Sequence, residues 1–224
     1  MRRAAVAALI AVLGAACHSG GSLPSGADLL HRAAVAMGTV RSVHFTFEVQ
    51  GPPGPLGIRR GDGVLDRQGE AEGTASLQVG QSLIEYRFVF TGGILYLKGP
   101  TGGFQKIPAA VATGSFDPAS LLSADRGVAH LLATATAGHT LDAESVGGTS
   151  AYRVDATIAV DGLADLLPPG AGRSGVAASV WIGRDRPLPL QIRAAVPPAR
   201  GSEPSVVTVT LDSFDRTVSI TPPG

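Results

Sequence analysis

Apolar and polar side chains alternate with a period of two over much of this chain, which is the signature of half-buried strands. In VHFTFEV, Phe45, Phe47 and Val49 alternate with His44, Thr46 and Glu48. GPPGPLG follows as a turn. IRRGDGVLD and EAEGTASLQVG read as two strands joined by a tight RQGE. In SLIEYRFVFT, Ile84, Tyr86, Phe88 and Phe90 alternate with Glu85, Arg87, Val89 and Thr91, and TGGILYLKG adds a Gly-Gly hairpin. Ahead of these strands the period changes to that of a helix. Leu29, Leu30, Ala33, Ala34 and Met37 make one apolar stripe, and Ser25 and Asp28 have capping-box spacing.

Past residue 100 the pattern changes twice more. Asp117 before Pro118 predicts an N-cap with proline at the first helical position. SADRGVAHLLATATAG predicts a helix from Ser123, with Val128, Leu131, Leu132 and Ala135 inward and Gly138 as its stop. Strands resume in HTLDAESVGGTSAYRVDATIAV, a hairpin around Gly147-Gly148. DGLADLL predicts a short helix ended by Pro168 and Pro169, and GVAASVWIGRD, LPLQIRAAV and SVVTVTLDSF supply three last strands. The expected fold is α+β: one large antiparallel sheet with helices on one face.

Gly and Pro together make up 46 of 224 residues, which fits a chain of many turns. One strand departs from ordinary core composition. The inward phase of EAEGTASLQVG reads Ala71, Gly73, Ala75, Leu77 and Val79, and its neighbour offers Gly61 and Gly63. Interiors are close-packed, so such small residues have two explanations. Either a helix approaches the sheet closely, or a space is left between walls of Phe45, Phe47, Tyr86, Phe88 and Phe90, suited to an apolar ligand.

The N-terminus carries a different signal. Arg2 and Arg3 precede the apolar run Ala4–Leu13, then small residues, then Cys17, the single cysteine. The run is shorter than the ~20 residues a membrane span needs, and it matches an export signal. A lone cysteine directly after the small residues fits a lipobox, in which the thiol is lipidated and cleavage falls before it. Gly14 stands where a lipobox usually has Leu, Val or Ile; ordinary cleavage leaving a free Cys17 is the other reading. Residues 1–16 are thus expected to be a signal peptide and 17–26 a flexible tether. Their removal leaves 16 basic against 18 acidic side chains, a net charge of −2, so no basic field is expected for nucleic acid.

No nucleophile elbow, Walker loop, dinucleotide fingerprint or paired-histidine zinc motif is present in the sequence. His18, His31, His44, His130 and His139 have no metal-ligand spacing on a helix. His44 sits on a polar phase and His130 beside apolar residues. Asp117 and Asp161 read as helix caps, and Arg153 and Asp155 as solvent-facing. No enzyme, cofactor or metal is expected.

GILYLKGPTGGFQKIPAA, SFDPASLLSADRGVAHLLA, VWIGRD and VTVTLDSFDRTVSITPP, taken in this order, resemble the actinobacterial cell-envelope lipoproteins of the LppX/LprG (LppX_LprAFG) type. The resemblance runs from Leu29 to Pro223. It implies a half-barrel antiparallel sheet with helices packed on its concave face, enclosing a hydrophobic cavity in a single lipid-binding domain over 27–224. It also implies that the protein carries acylated lipids or glycolipids across the cell envelope, in some members beside an efflux transporter. The expected protein is a monomer, held on the extracytoplasmic side of the cell membrane through Cys17. Its expected cavity residues are Phe45, Phe47, Val49, Ala71, Gly73, Ala75, Leu77, Val79, Ile84, Tyr86, Phe88 and Phe90, with the Gly99–Gly103 loop at the mouth. The competing reading is an accessory lipoprotein that carries no lipid and docks a transporter or surface partner.

Overall fold

The computed structural model describes residues 22–54, 57–108, 121–123, 125, 127–159, 175–197 and 203–224. The FDP helix, the DGLADLL helix, the signal and Cys17 lie outside them. Helix α1 (Gly26–Met37) opens the described fold, with the Ser25 hydroxyl accepting from the Asp28 amide at 3.4 Å. Its buried positions are Gly26 and the five stripe residues Leu29, Leu30, Ala33, Ala34 and Met37. The helix end is held from outside itself. The Arg67 guanidinium donates to the carbonyls of Gly38 at 2.7 Å and Val40 at 2.6 Å, placing a cation where a helix presents free carbonyl groups.

Eleven strands form one sheet: β1 (Ser42–Gln50), β2 (Ile58–Asp66), β3 (Ala71–Val79), β4 (Ser82–Thr91), β5 (Ile94–Lys98), β6 (Gln105–Pro108), β7 (Thr136–Val146), β8 (Thr149–Ile158), β9 (Val176–Gly183), β10 (Pro189–Val196) and β11 (Ser205–Asp212). Their spatial order is β6-β5-β4-β3-β2-β1-β11-β10-β9-β8-β7, with every neighbouring pair antiparallel. Two meanders therefore meet where β1 pairs with β11, and β6 and β7 are the edges. The expectation of an α+β open antiparallel sheet is met. Strand β6 was not foreseen, because its four residues QKIP carry no alternation.

The second described helix, α2 (Val128–Ala133), is shorter than expected. Gly127 is extended at its N-cap, with φ −89° and ψ −159°, so the helix cannot run back to Ser123. It ends at Thr134, and Thr136 already pairs with Thr157 in the sheet. Gly138 is thus not a helix stop. It lies in β7 directly against the start of α1, where an added Cβ would come within 2.8 Å of Leu30 Cδ1 and 3.1 Å of the Ala27 nitrogen. The inward residues were read correctly: Leu131 and Leu132 are buried, and Val128 and Ala135 pack against the same core.

The main core lies between these helices and the inner face of β8 and β9, where Val154, Ala156, Ile158, Ala178, Val180 and Ile182 meet Leu29, Leu30, Ala33 and Ala34. A second cluster joins Met37 and Val40 of the α1 end to Val43, Leu65, Ala71, Leu122 and Leu211, with Phe45, Phe88 and Phe90 packed beside it.

The outer face has a core of its own. After β11 the chain turns through Ser213 and Asp215, both at positive φ, and crosses outside the first meander. Val218 and Ile220 of this strap cover Val64, Val89, Ile94, Tyr96 and Phe104. Val89 is therefore buried despite its place on a polar phase. Asp215 fastens the strap: its carboxylate accepts from the Arg41 amide at 2.8 Å and from Arg186. Those two bonds hold the carboxyl below its ordinary pKa of 3.8, against a smaller opposing effect of burial.

A carboxylate whose pKa is depressed by folding contributes stability above its unfolded pKa, and that contribution is lost as pH falls through the folded pKa. Asp215→Asn should therefore cost about 1–2 kcal/mol at neutral pH, given the partial exposure of the pair. The gap from wild type should shrink in acid below the ordinary value of 3.8. Urea unfolding of both proteins across this range checks it; a pH-independent gap would assign the effect to something other than the ionised carboxylate.

Candidate functional site

Cross-strand register explains what the small residues on β2 and β3 do. On the inner face each aromatic of β1 and β4 stands opposite a glycine or alanine. Phe45 faces Gly63 and Phe47 faces Gly61 across β1–β2. Phe90 faces Ala71, Phe88 faces Gly73 and Tyr86 faces Ala75 across β3–β4. Gly63 is itself paired with Gly73, and Gly61 with Ala75. The result is a trough, with a two-strand floor of glycine and alanine between two aromatic rows. Strict alternation of side chains along a strand builds this directly from sequence.

The glycines at the middle of the floor have a reason that neither expected explanation covered. A Cβ on Gly73 would lie 2.7 Å from Gly63 Cα and would strike the Asp62 carbonyl; one on Gly63 would strike the Glu72 carbonyl. Strands β2 and β3 approach each other too closely here for any side chain. Gly61 is different: an added Cβ would meet Phe47 Cβ at 3.7 Å and Phe45 Cε2 at 3.9 Å, ordinary contact distances. The Phe45 ring therefore leans over the floor. Tyr86 leans the other way, its Cε1 lying 3.3 Å from where a Gly99 side chain would begin. Close helix–sheet approach does occur in this molecule, but on the other meander, at Ala156 and Ala178 under α1.

The trough is closed at one end and open at the other. At the closed end Ala71 is buried with Leu65, Leu122 and Ala129, against Phe45, Phe88 and Phe90. Toward the open end Gly73, Ala75, Leu77, Ile84 and Tyr86 are half-buried, and Val79 is 54% exposed. Phe47 and Val49 point to the same face on the other flank, where Val49 is buried among Val176, Val196 and Val207. Register thus places all twelve expected residues on one face. Two clefts of about 230 and 270 Å³ flank Ser213 at the strap and touch none of these twelve.

The polar candidates lie on the outer face. His44 sits between Asp212 at 3.2 Å and Asp62 at 3.5 Å, bridging β11, β1 and β2. Arg153 lies over the Trp181 ring at 5.5 Å, with Glu144 and Asp155 each 3.5 Å away. The Trp181 indole donates to Glu144 at 2.6 Å, and Ser179 donates to Asp155 at 2.6 Å. These candidates keep the partly exposed outer-face placement that their alternation predicted, and ion pairs and hydrogen bonds link them there. Among the described residues no group of three His, Cys, Asp or Glu side chains is placed to hold a metal ion.

The LppX_LprAFG lipoprotein family profile matches residues 25–220. The chain belongs to this family. A lipoarabinomannan carrier protein LprG from Mycolicibacterium smegmatis is 32% identical over 98% of this chain and 94% of its own length. The LprG of Mycobacterium leprae is 28% identical over 93% of this chain and 89% of its own. Among solved structures, LprF from Mycobacterium bovis superposes with a TM-score of 0.75 at 19% identity, covering 88% of this chain and 96% of that one. Lipoprotein LppX from Mycobacterium tuberculosis gives 0.64 at 19% identity, over 88% and 98%. The open antiparallel sheet is thus the LppX_LprAFG fold.

The two glycine environments separate in a direct test. Gly73→Ala should cost about 3 kcal/mol, because the new methyl meets main chain that cannot move aside. Gly61→Ala should stay within about 1 kcal/mol of wild type. Denaturant unfolding of each checks this, and equal losses would refute the close approach of β2 and β3.

Proposed function

We propose that this protein is a membrane-anchored carrier whose aromatic-walled trough holds the acyl chains of a lipid or glycolipid. The observation that carries the reading is the pairing of five aromatics with glycine or alanine on one half-buried face. Such a face offers apolar contact along its walls and room above its floor. The names of the LprG relatives, lipoarabinomannan carriers, support an acylated glycolipid as the ligand class. The same reading takes residues 1–16 as a signal peptide, Cys17 as the lipidated residue, 17–26 as a tether and 27–224 as one domain. It places the protein outside the cytoplasm as a monomer that carries its ligand across the envelope and hands it on beside an efflux transporter.

The energetics suit a carrier rather than a trap. Burying a methylene contributes about 0.8 kcal/mol, so a 16-carbon chain contributes about 12 kcal/mol in a bilayer or in a dry apolar site alike. Exchange between the two is near neutral, and neither ATP nor a metal is required.

Two substitutions test the reading. Cys17→Ala should move the protein from the membrane fraction to the soluble exterior or block its processing. Normal processing with full membrane retention would refute the anchor. Ala75→Trp places an indole on the trough floor, and Ser76→Trp places one on the opposite face. Native mass spectrometry of protein from its own host should show wild type and Ser76→Trp carrying lipid, and Ala75→Trp with little or none at a near wild-type melting temperature. A full acyl load in Ala75→Trp would put the binding site elsewhere.

A further inference from the structure

A carrier of this kind has to meet the bilayer from which its ligand comes, and the open end of the trough bears an apolar tip. The β3–β4 hairpin turns through Gly80, at φ 61°, and Gln81. On one side of the tip Val79 continues the trough floor and is 54% exposed; on the other, Leu83 lies on the outer phase and is 65% exposed. Among the described residues these are two of only four exposed large apolar side chains. Both faces of one two-residue turn are therefore apolar, which neither the inner core nor the outer strap explains.

The neighbouring charges are mixed: Glu85 follows Leu83 on the outer phase, and beyond it stand two cations, Arg87 and Lys98. Arg87 and Lys98 are direct partners across β4–β5, a like-charge pairing that a sheet ordinarily disfavours. Lys98 and Lys106 are the only lysines of the chain, and each lies over an aromatic ring, Phe104 at 5.9 Å and Tyr96 at 5.7 Å. Among the described residues none of these three cations has a carboxylate within ion-pair distance.

The tether joins the fold on the far edge strand β7, along the strand direction nearer the end at which the trough is open. Register aligns Gln50, Val206, Ala195, Ala177, Thr157 and Thr136 in one row beside the β1–β2 turn, and the open end of the trough lies next to that turn. Four residues along β7 from this row, the Thr140 hydroxyl donates to the Pro24 carbonyl at 2.6 Å and fixes the chain just before α1. Six residues lie between Cys17 and Pro24, and the seven steps reach about 25 Å at most.

We propose that the β3–β4 hairpin tip is a bilayer-contacting element: Val79 and Leu83 enter the apolar boundary of an anionic membrane while Arg87 and Lys98 meet its headgroups. Lipid then passes between bilayer and trough along one continuous apolar path. The inference rests on the carrier reading and deepens it, because the tip acts on the rate of exchange and the trough on the amount bound.

The test uses the full-length lipidated protein anchored in vesicles of phosphatidylcholine with phosphatidylglycerol, and a phosphatidylglycerol bearing a pyrene-labelled acyl chain. Leu83→Asp, on the outer phase, should slow uptake of the probe about tenfold and leave its final loading unchanged. Leu83→Trp should be quenched by brominated acyl chains, and Ala143→Trp, on the far edge, should not. Removing phosphatidylglycerol should slow wild type and have no effect on Arg87→Gln with Lys98→Gln. Uptake by Leu83→Asp within twofold of wild type, an unquenched Leu83→Trp, or uptake indifferent to anionic lipid would each overturn the tip assignment. No loading in wild type would instead overturn the carrier reading.

Discussion

The ladder between β1 and β11 is the constraint on which the rest of this molecule depends. Each meander is built from neighbours in sequence, so each is local and cheap in loop-closure entropy. The seam is not: it pairs His44 with Asp212, Phe45 with Leu211 and Phe47 with Val209 across most of the chain. It joins the meander that carries the trough to the meander that carries the helices. Features of the outer face converge on it. His44 spans it between two carboxylates, and the strap leaves directly from the end of β11, pinned by Asp215 to Arg41 and Arg186.

The two meanders differ in what they present on the inner face. Beneath α1 and α2, β8 and β9 present Val, Ile and Ala, a composition that close-packs against helices. Beyond the seam, β1 to β4 present phenylalanine, tyrosine, glycine and alanine. The second set packs firmly only near the α1 end and is half-exposed toward the open end. Such a face is costly unless something else holds the strands. Here the outer face does so, through the Val64, Val89, Tyr96 and Ile220 cluster under the strap.

Much of this was legible in the sequence, and the reason is periodicity. The stripe of α1, the strand phases and the Gly-Gly hairpins all follow from local pattern, and the register of β1 to β4 places the twelve residues expected to line a cavity on one face. What stayed hidden was decided by distant partners. The strap alternates Val218 and Ile220 with Thr217, Ser219 and Thr221 yet joins no strand of the sheet, and its trace on the first meander was apolar Val64 and Val89 on phases that were otherwise polar. Gly138 looked like a helix stop because a glycine at a close helix–strand crossing has the same letter as one at a C-cap. The Gly63–Gly73 pair was noticed as small, but only register shows that the two face each other.

That pair also shapes the trough. Where two strands lie too close for side chains, the inner surface is lowered to the main chain, and the flanking aromatics become walls instead of neighbours in a filled layer. Phe45 leans toward the floor while Tyr86 leans away to Gly99, so the walls are unequal. Occupancy of the trough by acyl chains would bury ring faces that are half-exposed without a ligand, adding apolar contact without rearranging the sheet. Under the proposed carrier reading, loading and emptying would then leave the fold energy almost unchanged, which is the physical condition for reversible carriage.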